Sequence, residues 1–258
     1  MQQRIKIGIS SCLLGNNVRY NGGHSRDRYL TDTLGQWFDY EPVCPESECG
    51  LGIPRETLRL VGDPQNPRLM TSKTGIDHTE RMQKWARKRL DALAKEDLCG
   101  FIFKSKSPSS GMERIKIYGE KGSPTGQKGV GIFARAFMDR FPRIPVEEEG
   151  RLHDPRLREN FIESVFTMKA WREVLSQRKT VGRLVDFHTR WKLLIMSHGQ
   201  QQYRLMGKLV AAGKSMPAGE LYRQYEELLF AALKLRTTIK KNANVLGHMV
   251  GYFKKQLT

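Results

Sequence analysis

The run LCGFIFKS, residues 98–105, is almost continuously apolar, and it limits the fold more than any other segment. A strand with one solvated face alternates apolar and polar residues, whereas a parallel strand covered on both faces does not. Residues 98–105 are therefore predicted to be such a covered strand. IKIGISSCLL, residues 5–14, is a second strand-like run, rich in β-branched residues, that reaches Cys12. DYEPVC, residues 39–44, is a third, ending at Cys44. Between these two, residues 25–38 carry helical spacing at Tyr29, Leu30, Leu34 and Trp37. A Gly/Pro/Asp-rich stretch runs from Gly50 to Pro67. HTERMQKWARKRLDALAKED, residues 78–97, predicts an amphipathic helix with Met82, Trp85, Leu90 and Leu93 on one side. GVGIFARAFMDRF (129–141) predicts another helix, and RIPVEEE (143–149) a last strand. Strands alternating with helices over residues 1–150 predict an α/β domain with a parallel βαβ sheet. Such sheets bind ligands at the carboxyl ends of their strands. Cys12, Cys44 and the serine-rich turn after residue 105 would meet there.

After Gly150 the pattern becomes long-period and helical. In HDPRLRENF, Asp154 suits an N-cap and Pro155 the first helical position. Helices are predicted over 155–177, 181–197, 199–213, 217–238 and 243–256, with breaks at Gly182, Gly199, AAGKSMPAG (211–219) and KKNAN (240–244). Residues 151–258 thus read as a separate all-α domain.

Charge separates the two parts further. The chain has a formal net charge of +17. Residues 151–258 hold 20 of the 44 Lys and Arg but only 8 of the 27 Asp and Glu, a net of +12, which leaves +5 for the first 150 residues. A generically basic surface would need no special partner; this asymmetry favours a polyanion, with a nucleic-acid surface centred on the helical part. The longest apolar stretches, such as LLFAAL (228–233), are too short to span a bilayer. The opening MQQRIKIGIS lacks the layout of a signal peptide, so the cytoplasm is expected. In that compartment four cysteines are thiols or metal ligands rather than disulfides.

Those cysteines are Cys12, Cys44, Cys49 and Cys99. No CxxC pair is present, which argues against a zinc ribbon. The C-x4-C spacing of Cys44 and Cys49 is compatible with a metal site, while Cys99 reads as a buried thiol in an apolar strand. Glu46, two residues after Cys44 in CPESECGLGIPR, suits a general acid or base; alone, it would equally be a surface glutamate. In KSKSPSSGMERIK (104–116), Ser107 and Ser109 flank Pro108 and precede Gly111. These could cradle an anion or a carbonyl, or form a plain turn. Lys104 and Lys106 make the segment basic and are candidate substrate or RNA contacts. RYNGGHSRD offers Arg19, Asn21, His24 and Arg26 in a Gly-rich loop that closes over a substrate or is a solvated turn. FHTRWKLLIMSHGQQQYRLMGKLV places Arg190, Lys192 and Arg204 among aromatic residues, a composition suited to single-stranded or looped RNA. Helix packing accounts for the aromatics as well. His188 and His198 are ten residues apart, which is not a metal-ligand spacing; each reads as a core histidine or a phosphate contact.

Taken together, SSCLLGNNVRYNGGH, PVCPESECGLGIPR and FKSKSPSSGMERIKIY resemble the TudS thiouracil desulfidases. With a helical domain following PVEEEGRLHDPRLRENF, nearly the whole chain resembles the fused, two-domain RudS tRNA 4-thiouridine desulfidases. The resemblance implies a [4Fe–4S] cluster held by three cysteines, with a fourth iron open to the sulfur of a thiocarbonyl base and no redox cycling. It implies attack of water on the base carbon, helped by a glutamate and a serine, so that uridine and sulfide leave. Carried onto this sequence, the cluster ligands are Cys12 and Cys44, the acid/base is Glu46 and the serine is Ser107 or Ser109. The family's third cysteine lies in SPSCG, and this chain has SPSSG, so Ser110 stands at that ligand position. Three readings follow: Ser110 weakens or abolishes the cluster, it ligates iron through oxygen, or Cys49 or Cys99 substitutes for it. The implied partner is thiolated tRNA, gripped through the Lys and Arg of the helical domain. Two competing readings are a desulfidase of free thiobases whose helical domain serves dimerisation, and an RNA-binding protein whose cluster site has decayed.

Overall fold

The structure is a computed structural model that describes residues 4–254. It divides into two units, Met1–His153 and Asp154–Thr258.

In chain order the first unit contains β1 (Ile5–Ser10), β2 (Phe38–Val43), the single turn α1 (Pro45–Glu48), β3 (Leu58–Val61), β4 (Arg68–Thr71), α2 (Thr79–Leu93), β5 (Phe101–Phe103), β6 (Ile115–Tyr118), β7 (Pro124–Gly129), α3 (Ile132–Arg140) and β8 (Val146–Glu148). One sheet has the order β2-β1-β5-β8, and all its pairings are parallel. The apolar run at its centre is covered as its sequence predicts, with Phe101, Ile102 and Phe103 all fully buried, but only these three of residues 98–105 form the strand. Gly8 of β1 lies beside Phe101, and a Cβ there would come within 2.2 Å of the Phe101 ring. The close approach of β1 and β5 therefore requires glycine at position 8. α2 and α3 cover this sheet through Ala86, Leu90, Leu93, Phe133 and Phe137, packed on Phe101 and Phe103. Three ring contacts tie Phe101, Phe103 and Phe137 together at centroid distances of 4.3–5.6 Å.

A second sheet, of order β4-β3-β6-β7, is mixed: β3 and β6 run parallel, and the two outer pairings are antiparallel. The stretch read as a Gly/Pro/Asp-rich connection holds β3, whose inner face adds Leu60 to a core with Leu69, Met82 and Ile117. Residues 25–38 do not form the predicted α-helix. They form a π-turn over Tyr29–Thr33 and a 3-10 turn over Leu34–Gln36. Asp27 directs this local winding, since its carboxylate accepts the Leu30 N–H (3.1 Å) and its carbonyl accepts both Thr31 N–H (3.0 Å) and the Thr31 hydroxyl (3.1 Å). Trp37 is 63% exposed, so its place in the apolar spacing reflects no buried face.

The second unit is helical: α4 (Pro155–Leu175), α5 (Val181–His198), α6 (Gln200–Ala211), α7 (Ala218–Leu233) and α8 (Ile239–Lys254). Asp154 caps α4 as expected, accepting the N–H groups of Arg156 and Leu157 at 2.8 and 3.4 Å. Thr180 caps α5 through Arg183 N–H at 3.3 Å. KKNAN is not a break. Thr238 accepts the Lys241 N–H on its side chain and the Asn242 N–H on its backbone, which starts α8 ahead of these residues. The interruption falls instead at 234–238. The last two residues of the predicted 243–256 helix lie outside the described residues. Trp171 is the centre of this unit's core, in ring contact with Phe187, Tyr222 and Tyr225 at 5.1–5.8 Å. Among the described residues no helix is long and apolar enough to cross a membrane.

Candidate active site

The carboxyl ends of β1, β2 and β5 open into a cavity of about 350 Å³. Cys12 reaches it from the turn after β1, and Cys44 and Glu46 from the end of β2 and the first turn of α1. Lys104, Lys106, Ser107 and Ser110 reach it from the loop after β5. These residues lie far apart in sequence, and parallel strand ends bring them together.

Glu46 is the hub. Its side chain is 14% exposed. Oε1 accepts from the Ser109 hydroxyl in a short contact and from the Ser107 hydroxyl at 3.3 Å, while the two serine oxygens are 3.0 Å apart. The Cys44 thiol donates to Oε2 at 3.7 Å, and the Arg55 guanidinium lies 3.9 Å from the same oxygen. The groups shown in contact with this carboxylate among the described residues are three donors and a cation, so it is an acceptor in a prepared environment. Arg55 is itself fixed by the carbonyls of Val18 and Gly52 at 3.0 and 3.1 Å and is 9% exposed. Sequence reading missed Arg55. Its only local signal is a basic residue in GLGIPR, and nothing in that motif reveals contact with a carboxylate nine positions upstream.

The loop 104–113 is held firmly. Ser110 N–H donates to the Ser107 hydroxyl at 3.1 Å, and Gly111 N–H to Ser107 carbonyl at 2.8 Å. Phe133 and Ala134, in the first turn of α3, donate N–H groups to the Ser109 carbonyl at 2.9 and 3.1 Å. A Cβ on Gly131 would meet the Ser109 backbone at 2.6 Å, so glycine is needed where α3 begins against this loop.

The other predicted residues separate clearly. Arg19 lines the cavity with its guanidinium 5.6 Å from the centre of the Tyr20 ring. Asn21, His24 and Arg26 do not line it. Their contacts are local: Asn21 Oδ1 accepts Gly23 N–H, His24 Nδ1 accepts Arg26 N–H, and Arg26 pairs with Asp32 of the following turn at 2.8 Å. Lys104 lines the cavity, but its ammonium is bound to Glu149 and the Ser105 carbonyl. In the helical unit Arg190 and Arg204 are exposed and Lys192 is half-buried. Arg190 borders a hollow of about 280 Å³ with Arg183, Asp186 and Trp191. His198 is fully buried with Nε2 3.1 Å from Glu163, and His188 meets the Tyr225 hydroxyl at 3.1 Å, so both are interior histidines.

Burial pushes the Cys12 thiol up to about 11, and burial, then the Glu46 charge, pushes Cys44 up to about 12. Cys49 does not line the cavity. It packs on the Leu60–Ile117 core, and its thiol donates to the Glu46 carbonyl at 3.4 Å. Cys99 precedes β5, at the opposite end of the strand, with its N–H on the Lys6 carbonyl.

Residues 7–149 match the family described as 2-thiouracil desulfurase. The chain belongs to this family. Residues 192–258 of this desulfurase-family chain match a second family, described as a protein of unknown function, DUF1722. An uncharacterized protein of Escherichia coli K12, YbgA, is 29% identical over 94 residues, which is 36% of the present chain. The chain spans 56% of the length of that relative. An uncharacterized protein of Bacillus subtilis 168, YbbK, is 30% identical over 154 residues, covering 57% of the present chain and 98% of YbbK. A solved structure described as a [4Fe-4S]-dependent thiouracil desulfidase, TudS, is 27% identical with a TM-score of 0.47, over 58% of this chain and 95% of that one.

An iron–sulfur cluster of the kind the family resemblance implies needs three protein donors. Among the described residues, no group of three or more His, Cys, Asp or Glu side chains is arranged for a metal ion. The cavity of this desulfurase-family chain nevertheless offers three donors of another composition: the thiols of Cys12 and Cys44 and the hydroxyl of Ser110. Ser110 is 3% exposed, and its backbone is held in the loop by Ser110 N–H donating to the Ser107 hydroxyl. The hydroxyls of Ser10, Ser11, Ser105 and Ser107, which line the same cavity, are all engaged. The donor set, two sulfurs and one oxygen on one cavity, is chemically compatible with iron, with oxygen where the family resemblance implies a third sulfur.

Proposed function

We propose that this chain is a desulfidase that hydrolyses the thiocarbonyl group of a thiolated pyrimidine, with 4-thiouridine in tRNA as its substrate. The observation that carries this reading is the Glu46 carboxylate, fixed by Ser107, Ser109 and Arg55 beside Cys12, Cys44 and Ser110 in one cavity. The overall reaction replaces a C=S bond by C=O. Water supplies the oxygen, sulfur leaves as sulfide, and no electrons are gained or lost. Glu46 takes the proton of the attacking water, and the Ser107 or Ser109 hydroxyl orients that water or the departing group. Arg55 keeps the carboxylate in place.

Cys12, Cys44 and Ser110 would hold a [4Fe–4S] cluster. When bound, it supplies Lewis acidity and a soft site for the departing sulfur. A hydroxyl is a harder donor than a thiolate, so the Ser110 site holds iron less firmly than a three-cysteine site. The net charge of +12 on residues 151–258 supports RNA as the carrier of the base. Arg190, Lys192 and Arg204 contact phosphates in this reading, Arg19 and Lys106 line the approach to the cavity, and the thiolated nucleotide leaves its stack to enter.

The test is anaerobic reconstitution of the chain, of Ser110→Cys and of Ser110→Ala, followed by iron and sulfide analysis. Sulfide release is then measured from thiolated tRNA and from free 4-thiouracil. About four irons in the chain and in Ser110→Cys, fewer in Ser110→Ala, and release from tRNA support the proposal. Iron in Ser110→Cys alone means that Ser110 has disabled the site. Iron in none of the three, with RNA binding intact, replaces the proposal with the decayed RNA-binding protein.

A further inference from the structure

Three consecutive glutamates, Glu147, Glu148 and Glu149, close the PVEEE segment, and all three are buried at 6, 6 and 9% exposure. Buried carboxylates are rare and costly unless each finds donors. Here every one does, and the donors share a location. Glu149 accepts from the Lys104 ammonium, from Ser105 N–H at 2.6 Å and from the Ser105 hydroxyl at 2.7 Å. Glu148 accepts from Met112 N–H at 2.9 Å. Glu147 accepts from Arg151 at 2.5 Å, and the other arm of Arg151 holds the Glu113 carboxylate at 2.6 Å.

The partners are thus Lys104 and Ser105 at the entrance of one loop and Met112 and Glu113 at its exit. Between them lie Ser107 and Ser109, which donate to Glu46, and Ser110, which lines the same cavity as Cys12 and Cys44. The register Phe103↔Glu148 places the end of β8 beside the residue from which this loop departs. The strand's carboxylates therefore reach both ends of the loop without any rearrangement. The first turn of α3 fixes the loop's middle through the Ser109 carbonyl.

We infer that Glu148 and Glu149, with Glu147 behind them holding Arg151, are positioning residues of the candidate active site, acting as a clamp that sets the serine loop against Glu46, Cys12 and Cys44. The role in turnover rests on the desulfidase reading; the clamp itself is a property of the fold. Neither a surface strand nor a solvent-facing acidic run would bury two adjacent carboxylates against the two ends of one loop, with a third, Glu147, joined to the loop's exit through Arg151 and Glu113.

The experiment is amide hydrogen exchange on the full chain and on Glu148→Ala, Glu149→Ala, Glu148→Gln and Glu149→Gln. The informative amides are those of Ser109, Ser110 and Gly111, which the carboxylates do not touch. Their exchange is expected to quicken by about tenfold or more in the Ala variants, with the amides of β1 and β2 unchanged. The Gln variants, which keep an acceptor, fall between. In turnover with thiolated RNA, kcat falls while KM holds, because substrate still binds a site whose reacting groups have lost their register. Unchanged exchange at 109–111 in folded Ala variants overturns the inference. So does an even acceleration throughout Met1–His153, which would mark a merely structural role. If the Ala variants do not fold, the Gln variants decide by the same comparison of loop with strands. If the unaltered chain releases no sulfide either, the desulfidase reading fails alone, and the exchange result still judges the clamp.

Discussion

The two units of this chain use polar residues in opposite ways. Around the cavity, partners come from remote sequence: Ser109 and Glu46 are 63 positions apart, and Lys104 and Glu149 are 45. On the helical unit's surface, ion pairs are local. Arg223 meets Glu220 and Glu227 three and four positions away, and Lys169 meets Glu173. Arg190 and Arg204 stand exposed. Remote pairing fixes atoms relative to one another, as bond rearrangement requires. Local or absent pairing leaves cations free to settle against a long, variable polyanion. In the proposed function the cavity supplies geometry and the helical unit's surface supplies charge, while the helical unit's interior keeps remote pairs of its own, such as Trp171 with Glu226.

The sharpest way to break that comparison is at the hub. Glu46→Gln keeps the size and one hydrogen-bond acceptor but removes the base. Turnover of a thiolated pyrimidine is expected to fall by about 10²- to 10⁴-fold, with the melting temperature and RNA affinity little changed. A fall of less than tenfold would remove Glu46 from the chemistry. A matching loss of RNA affinity would show that the cavity and the charged surface are not separable.

The next effect is smaller and lies in the other unit. Replacing Arg190, Lys192 and Arg204 together by Ala should weaken tRNA binding by about 10- to 100-fold at physiological salt. It should also lower the slope of log affinity against log salt by roughly 2–3. Release of sulfide from free 4-thiouracil should be unaffected. If tRNA affinity holds and the salt slope is unchanged, these three side chains make no phosphate contacts, and the charge asymmetry lies elsewhere on the unit.

The same contrast explains what could be read from the sequence. The parallel sheet was legible because β5 is apolar without alternation, a pattern few other environments produce. The helical region was legible from its period and from the Asp154–Pro155 start. The convergence of Cys12, Cys44 and the serine loop followed from strand ends. The second sheet was hidden because its signals are weak: β7 reads PTGQKG, with five of its six residues exposed, and β3 lies in a stretch rich in turn formers. Arg55 and the glutamate clamp were hidden for a different reason. Their meaning lies in partners supplied by tertiary structure, and no local period encodes a pairing across 45 residues. The RYNGGHSRD loop shows the converse. Its Arg, Asn and His have the composition of a binding loop, yet Asn21 Oδ1 and His24 Nδ1 brace the loop itself and Arg26 pairs with Asp32 in the following turn.

The smallest expected effect tests whether the helical unit also contains geometry of the fixed kind. His188 is half-buried, its ring parallel to that of Tyr203 and its Nδ1 against the Tyr225 hydroxyl. Burial, and then the nearby Lys192 charge, hold its pKa below the usual histidine value. The unfolded chain therefore takes up the proton first, at about pH 6.5. The stability tied to neutral His188 is fully present above that pH and is lost as pH falls through the folded-state value. Between pH 7 and pH 5 the melting temperature of the wild-type helical unit should fall further than that of His188→Gln, by about 2 °C. Glutamine offers a hydrogen bond to Tyr225 without a titrating proton, so the difference isolates protonation from lost packing. Parallel curves for the two proteins would mean that His188 accepts its proton in the folded unit at no cost. The interior of the helical unit would then be as tolerant of charge as its surface, and the division between the cavity's geometry and the helical unit's charge would extend to its core.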